Sequence, residues 1–239
     1  MARSGPAAEL AESVGDLKNK ADYIGQAEKV KSALNQYLWN KEVSLYADSI
    51  KGDKLSEVYS QHSNCLAVLF GIAEDEDAVL NNILTKKGLM PVASPYFMCY
   101  FLEALFKKNQ HQKAYDIIRT RWGEMVSRGA TTFWEVFEEV TRSDQGGSLC
   151  HAWSSAPTYH LISEYLAVKP IEPGFKKVLI APKPVGLSRL EGAVPTPYGK
   201  IKVSWQTEPK FTISVDLPKG TSGTLVLPDQ KPISFTGRF

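Results

Sequence analysis

The chain has 239 residues, of which 43% are hydrophobic and 23% charged. This is the balance of an ordinary globular protein, and the length allows one large domain or one domain with a small appendage. The formal net charge of +2 is too small to indicate a nucleic-acid partner or an anionic membrane surface. The sequence has neither a membrane-spanning apolar run nor the apolar core of a signal peptide, so we expect a cytoplasmic protein without a membrane partner.

Helical spacing of apolar residues dominates the chain before Glu172. The first predicted helix lies in YIGQAEKVKSALNQYLW, where residues three and four apart form one apolar stripe: Ile24, Ala27, Val30, Leu34 and Leu38. Further helices are predicted in SEVYSQHSNCLAVLFGIA, EDEDAVLNNILTKKG, SPYFMCYFLEALFKKN, HQKAYDIIRTRWGEMVSRG and SSAPTYHLISEYLAV. These are about six helices, mostly with short connections, as in stacked antiparallel helical hairpins.

From Glu172 onward, proline, glycine and short β-branched runs replace the helical spacing. Strands are predicted in VLIAP, KIKVSW, KFTISVDLP and GTLVLP, each bounded by turn-forming residues. Polar and apolar residues alternate in the second and third of these, as in strands with one buried face. We therefore predict a mainly α protein with a C-terminal all-β module. The helical domain would span residues 1–171, and a small antiparallel, β-sandwich-like domain would span residues 172–239.

The short motifs of common cofactor and metal sites are absent from the sequence. It contains no glycine-rich phosphate-binding pattern, no GxSxG, and neither HExxH nor paired CxxC. The four histidines do not have metal-ligand spacing. The three cysteines are too widely spaced for a disulfide framework, so we expect buried free thiols. We predict no cofactor and no metal.

The segment GATTFWEVFEE places Glu135 directly after Phe133 and Trp134. A carboxylate among aromatic rings is typical of sugar sites, because pyranose C–H faces pack on rings while the hydroxyls need polar partners. Glycosidic bonds are usually cleaved by two carboxyl groups on opposite sides of the bond. On a continuing helix, Glu138 and Glu139 would share one face with Glu135. The second catalytic acid must then come from another segment.

The same residues also permit purely structural interpretations. Trp134 and Phe137 would pack in the core while the three glutamates are solvated, which composition alone favours. In GGSLCHAWSSAP, His151 precedes a predicted helix, a position that often faces a pocket, although a hydrogen-bonded structural histidine is the alternative. Tyr96, in the first turn of the helix in ASPYFMCYFLEAL, has the same two interpretations.

Several motifs, in a fixed order, resemble one enzyme family. GATTFWE, SLCHAWSSAPTY, IEPGFKKVLIAP and EGAVPTPYGKIKVSW are similar to the C-terminal part of the bacterial α-L-rhamnosidases, glycoside hydrolase family 78. Upstream, YSQHSNCLAVLFGI and ASPYFMCYFLEAL resemble the helical domain of that family. The similarity extends from about Tyr23 to about Trp205, and several ordered motifs are more specific than any one of them.

The resemblance implies an (α/α)6 barrel followed by a β-sandwich module. It also implies an inverting hydrolysis of terminal α-L-rhamnosyl residues, with a rhamnosyl-containing carbohydrate as the partner. By the matching motifs, Glu135 is the general base that activates water, and His151 contacts the sugar. Trp134 and Tyr96 are the further candidate substrate-binding residues.

The sequence also departs from the family. A closed barrel of this type has twelve helices, so the six predicted here correspond to half of it, and residues 1–60 show no counterpart of the family's general-acid motif. We therefore expect a fragment, or a chain inactive without an upstream half. Its exposed helix faces would contact that half or a second copy of the chain. The alternative function is a non-catalytic carbohydrate-binding or scaffold protein degenerate from the family.

Overall fold

The structure, a computed structural model, describes residues 5–137, 147–227 and 230–239. The chain divides into two compact units, Met1–Lys108 and Asn109–Phe239. A domain boundary at residue 171, where helices give way to strands, stays a prediction.

The first unit contains five α-helices and two small hairpins among its described residues. The helices are α1 Pro6–Ser13, α2 Leu17–Tyr37, α3 Gln61–Leu69, α4 Glu76–Thr85 and α5 Pro95–Lys107. Between α2 and α3, the strands β1 Trp39–Asn40, β2 Leu45–Tyr46, β3 Ile50–Lys51 and β4 Lys54–Leu55 form two antiparallel pairs. Neither pair was predicted, because two-residue strands leave no alternation in the sequence.

Local capping chemistry explains where the helices of this unit begin. The carboxylate of Asp75 accepts a hydrogen bond from the N–H of Ala78, 2.9 Å away, and this caps α4. Pro95 opens α5, where its missing N–H costs no hydrogen bond. The predicted start of α3 at Ser56 is wrong. Ser60 is the N-cap, and its hydroxyl accepts from the N–H of Ser63.

The apolar stripe predicted along α2 is not buried. No residue of this helix is buried, and Ile24 and Val30 are 37% and 57% exposed. Helices α3, α4 and α5 instead carry the buried side chains, such as Val68, Ile83 and Leu102. The spacing therefore identified the helix, but it did not identify a face that is covered in this structure.

The second unit begins with α6 His111–Ser127, which ends near Gly129 at φ +83°. Residues 131–137 follow without regular secondary structure. The next described elements are a 3-10 turn at Ala152–Ser154, the short helix α7 Ala156–His160 and a π-helical turn at Leu161–Leu166. The described residues thus hold seven α-helices where about six were predicted, and α1 is the additional one.

Seven strands complete the second unit. They are β5 Val168–Pro170, β6 Lys177–Ile180, β7 Arg189–Thr196, β8 Gly199–Gln206, β9 Thr212–Asp216, β10 Ser222–Leu225 and β11 Ile233–Phe235. One sheet has the order β11-β10-β6-β5 and the other β7-β8-β9. All pairs are antiparallel as predicted, except that β6 and β10 run parallel. Strand β7 escaped prediction because Gly192 and Pro195 interrupt its pattern.

The two sheets share one hydrophobic core. Val178 of β6, Val203 of β8 and Val215 of β9 belong to the same buried cluster. The alternation predicted in KIKVSW is confirmed, since Ile201, Val203 and Trp205 are buried while the residues between them are exposed. The predicted fold class, a mainly helical chain with a C-terminal β-sandwich-like module, is confirmed. Among the described residues, no helix combines the length and apolar character needed to cross a bilayer.

Candidate active site

Two loop segments of the second unit, each carrying a predicted site residue, are joined by hydrogen bonds. The N–H of Glu135 donates to the carbonyl oxygen of Ser148 at 2.9 Å. The N–H of His151 donates to the carbonyl oxygen of Phe133 at 2.7 Å, and the Thr132 hydroxyl donates to the carbonyl of Leu149. The motifs around Glu135 and His151 therefore form one local structure.

The carboxylate of Glu135 is held by the same pairing. Its Oε2 accepts a hydrogen bond from the backbone N–H of Ser148 at 2.9 Å, and the side chain is half-buried. A backbone donor fixes the orientation of the carboxylate without a second charged group. The aromatic residues that precede Glu135 therefore do not leave its charge without a polar partner.

Glu135 does not lie on a helix. Residues 131–137 form an irregular segment, so the face considered for the case of a continuing helix does not apply to Glu135. Glu138, Glu139 and Gly146 lie outside the described residues. The segment is irregular because its backbone hydrogen bonds go to residues 148–151 instead of to the preceding turn.

The aromatic residues around Glu135 divide into two groups. Phe137 is buried, packs edge-on against Trp122 with ring centroids 4.9 Å apart, and lies under the guanidinium of Arg121 at 4.5 Å. The core position considered for Phe137 is therefore confirmed, and Phe137 anchors the end of the segment. Phe133 and Trp134 are only half-buried, so part of the Trp134 ring remains accessible.

His151 lies immediately before the 3-10 turn, half-buried, and its ring contacts Trp153 edge-on at 6.1 Å between centroids. The turn itself is firmly held. The N–H of Ser154 donates to the carbonyl of His151 at 3.0 Å, and the indole N–H of Trp122 donates to the carbonyl of the fully buried Ser154 at 2.8 Å. Trp153 is nevertheless 69% exposed, which leaves a rigidly placed indole facing solvent.

Tyr96, the fourth predicted site residue, lies in the first unit, whereas the other three lie in the second. It occupies the first turn of α5, is 37% exposed, and its hydroxyl is 3.3 Å from that of Tyr100. The role of Tyr96 as a substrate-binding residue stays a prediction.

The cysteines differ from one another more than predicted. Cys65 is buried, and this burial raises the pKa of its thiol to about 12. Cys99 is partly buried, but Cys150, next to His151, is exposed, so the prediction of a buried thiol is wrong there. Cys150 sits in the loop that pairs with the Glu135 segment, where its N–H donates to the Ser148 hydroxyl at 3.1 Å.

Sequence reasoning missed a buried ionic cluster in the same unit. Glu164 accepts from the ammonium of Lys169 at 2.6 Å and lies 3.5 Å from the imidazole of His111. Burial raises the pKa of the Glu164 carboxyl, but the hydrogen bonds from His111 and Lys169 outweigh it and hold the pKa below its ordinary value. The cluster joins the start of α6 to the β5 region. No sequence motif predicts this structural role.

Two further residues of the site were also missed as functional candidates. Ser148 contributes its backbone N–H. Every residue except proline has this donor, so the residue type at position 148 does not indicate the role in the sequence. Trp153 follows His151 by two positions, and that proximity to a predicted sugar contact is the signal that could have identified it.

Two family models together match almost the whole chain. The family model described as the bacterial alpha-L-rhamnosidase 6 hairpin glycosidase domain matches residues 3–164, and the one described as the bacterial alpha-L-rhamnosidase C-terminal domain matches residues 167–237. An alpha-L-rhamnosidase of Alteromonas sp. (strain LOR) is 37% identical over 114 residues, which are 45% of this chain and 12% of that protein. One of Formosa agariphila is 28% identical over 183 residues, 70% of this chain and 19% of that protein. The chain thus spans less than a fifth of these relatives.

Solved structures show the same relationship. The GH78 family rhamnosidase of Bacillus sp. GL1 is 33% identical with a TM-score of 0.84, over 93% of this chain and 24% of that one. An α-L-rhamnosidase from Aspergillus terreus is 18% identical with a TM-score of 0.81, over 97% of this chain and 28% of that one, and this likeness shows the fold alone. Because the six-hairpin model covers more than half of the chain, the protein belongs to the bacterial α-L-rhamnosidase family of six-hairpin glycosidases.

Proposed function

We propose that this chain supplies the general base for the inverting hydrolysis of terminal α-L-rhamnosyl residues, and that Glu135 is this base. The observation that carries the proposal is the half-buried Glu135 carboxylate held through Oε2 by the Ser148 N–H. Among the described residues, no second group hydrogen-bonds this carboxylate. We propose that Oε1 receives the water molecule.

The chemistry assigned to Glu135 is proton abstraction. The carboxylate takes a proton from a water molecule while the water oxygen attacks the anomeric carbon, on the face opposite the leaving group. The leaving oxygen receives a proton from a carboxylic acid about 6.5 to 9.5 Å away, which leaves room for the water. We propose that this acid belongs to a separate upstream segment, so that the chain alone is inactive.

The residues around Glu135 are proposed to hold the sugar. His151 can hydrogen-bond a sugar hydroxyl, since the Phe133 pairing fixes its backbone and its ring is only half-buried. Trp134 presents a partly accessible ring to a pyranose C–H face. Tyr96, which lies in the first unit, is a separate proposal for a substrate-binding residue. The L-rhamnose complex of the Streptomyces avermitilis α-L-rhamnosidase, a structure with the same fold, makes rhamnose the first ligand to test.

The experiment assays an aryl α-L-rhamnoside with the chain alone and with an upstream half of a family catalytic domain. The expected result is turnover only for the pair, and loss of that turnover with Glu135→Gln. An inactive pair, or a fully active Glu135→Gln pair, overturns the assignment of Glu135 as the base. The alternative, a non-catalytic carbohydrate-binding protein, predicts calorimetric heat with rhamnose and no turnover in either sample.

The exposed face of α2 is proposed as a contact surface. Tyr23, Val30 and Tyr37 follow at seven-residue intervals and share one face of this helix. They are 41%, 57% and 53% exposed, an arrangement that favours burial against another surface. We propose the upstream half as its partner, with a homodimer as the second possibility. Analytical sedimentation separates them, since a homodimer forms from the chain alone. A stable monomer that the upstream half does not bind contradicts both.

A further inference from the structure

The outer face of the sheet β7-β8-β9 carries a shallow trough. Two adjoining cavities, of about 630 and 480 Å³, share Glu191, Ser204 and Ser214 as lining residues. The alternation that buries Val203 and Trp205 turns the neighbouring residues of β8 outward, away from the module core. The trough is therefore built from the exposed face of a sheet whose other face packs on the module core.

Strand register arranges the outward side chains in three rows across the sheet. The rows are Arg189–Gln206–Thr212, Glu191–Ser204–Ser214 and Ala193–Lys202–Asp216. Four residue steps along β8 make the trough about 13 Å long, and three strands make it about 10 Å wide. The middle row holds two short serine side chains, so longer polar side chains surround a low floor. These dimensions suit a short oligosaccharide.

The charges of the trough are mixed and internally unpaired. Arg189, Lys202 and Arg238 carry positive charge, while Glu191 and Asp216 carry negative charge. Within the part of the chain that the structure describes, none of these five side chains forms an ion pair with another residue. Their hydrogen-bond donors and acceptors face solvent. Donors and acceptors close together, with nearly balanced charge, match sugar hydroxyls, which donate and accept at once.

Aromatic stacking does not contribute here. Trp205 is the one aromatic residue among those that line the two cavities, and its ring lies in the core, where its N–H donates to the Tyr165 carbonyl at 3.2 Å. Recognition would depend on hydrogen bonds exchanged with water, each of which adds little net free energy. We therefore expect weak, millimolar binding. Such binding suits a site that holds a polysaccharide at the protein without positioning one particular sugar residue.

We propose that this trough is an accessory carbohydrate site that binds neutral oligosaccharides. The trough would bind the substrate class of the proposed function. It takes no part in the proposed hydrolysis, because none of its residues belongs to the Glu135 loop. Binding here should persist in Glu135→Gln. Failure of the accessory site and failure of the base assignment are therefore separate results.

The experiment is an NMR titration of the full chain, in wild-type and Glu135→Gln forms, with a neutral rhamnose-containing oligosaccharide. We expect chemical-shift changes for the backbone amides of β7, β8 and β9, the strands that form the trough. Lys202→Ala and Glu191→Gln should each weaken this binding about fivefold, the loss expected for one or two net hydrogen bonds. The side chains of Glu191 and Lys202 are exposed, and the spectra themselves report whether each variant is folded.

Lys200→Ala is the matched control. Lys200 lies two residues before Lys202 on the same strand and is also exposed, but it does not line either cavity. Unchanged affinity for Lys200→Ala beside weakened affinity for Lys202→Ala supports the site. Equal effects of the two changes, binding of charged oligosaccharides alone, or an absence of shifts in this sheet would each overturn it.

Discussion

Glu135 and Ser148 are joined by two hydrogen bonds in opposite directions. The N–H of Glu135 donates to the Ser148 carbonyl, and the N–H of Ser148 donates to the Glu135 carboxylate, both at 2.9 Å. The residues are thirteen positions apart in the sequence. The pair therefore closes a loop and orients the proposed base at the same time.

Glu135→Gln should lower the turnover of the reconstituted enzyme by about 10²- to 10⁴-fold, because an amide cannot accept the proton of the attacking water. Sugar affinity should change little, since the amide keeps the shape of the carboxylate. Steady-state kinetics on an aryl rhamnoside measures both. Glu124→Gln, at an exposed position on α6, is the control and should leave turnover unchanged, since its ion pair with Arg128 is a weak surface contact.

Ser148→Pro should lower turnover, because proline has no N–H to hold the Glu135 carboxylate. Ser148→Ala keeps that N–H and loses only the hydroxyl contacts with Cys150. It should retain most of the activity. Circular dichroism checks that both variants fold, and equal activity of the two would contradict the role given to the Ser148 amide.

Trp153→Ala should weaken sugar binding about three- to tenfold, the loss expected when an aromatic platform worth about 0.5 to 1.5 kcal/mol is removed. Its stability should change by no more than about 0.5 kcal/mol, because the side chain is largely exposed. Calorimetric titration with methyl α-L-rhamnoside gives the affinity. Trp153→Phe should recover part of it, and Tyr159→Ala, which removes another exposed aromatic of the unit, should have no effect.

Gly223→Ala should destabilise the β module by about 1 to 3 kcal/mol, the usual cost of overpacking a core. A Cβ at this position would lie 2.9 Å from the Phe235 ring and 3.0 Å from Leu217. Gly25→Ala is the matched control. Gly25 lies inside α2 with nothing within 4 Å, so alanine there should stabilise by about 0.5 to 1 kcal/mol. Thermal unfolding should show shifts in opposite directions.

The Glu164 cluster should make the stability of the second unit depend on pH. The pKa of Glu164 is lower in the folded state than its ordinary value of 4.5. The stabilisation is therefore fully present above 4.5 and is lost as pH falls through the folded pKa. Melting temperatures recorded from neutral pH downward should fall in that window for the wild type.

Two variants test the assignment of this pH dependence to Glu164. Glu164→Gln should melt lower at neutral pH and show a flatter profile in acid, because it has no carboxylate to protonate beside Lys169. Glu172→Gln, at an exposed ion pair with Lys177, should keep the wild-type profile. An unchanged profile for Glu164→Gln would assign the acid sensitivity to other groups.

The sequence by itself determined the features that depend on neighbouring residues. The helices α4 and α5 and the alternation in β8 each follow from patterns within a few residues, and all were predicted correctly. The order of helices before strands was predicted for the same reason. The candidate site residues were found by residue type and motif, and their roles stay predictions.

Only the tertiary structure decided the features that depend on distant partners. Hydrogen bonds to Ser148 hold Glu135 in an irregular segment, and its own sequence does not indicate that partner. Neighbouring strands stabilise β7 despite Gly192 and Pro195, and β6 pairs in parallel with β10, more than forty residues later. The intrinsic helix or strand propensity of a segment contributes less free energy than the hydrogen bonds and buried contacts that a distant partner supplies. Contacts with distant partners form only when the chain folds, so the spacing of residue types along the sequence does not predict them.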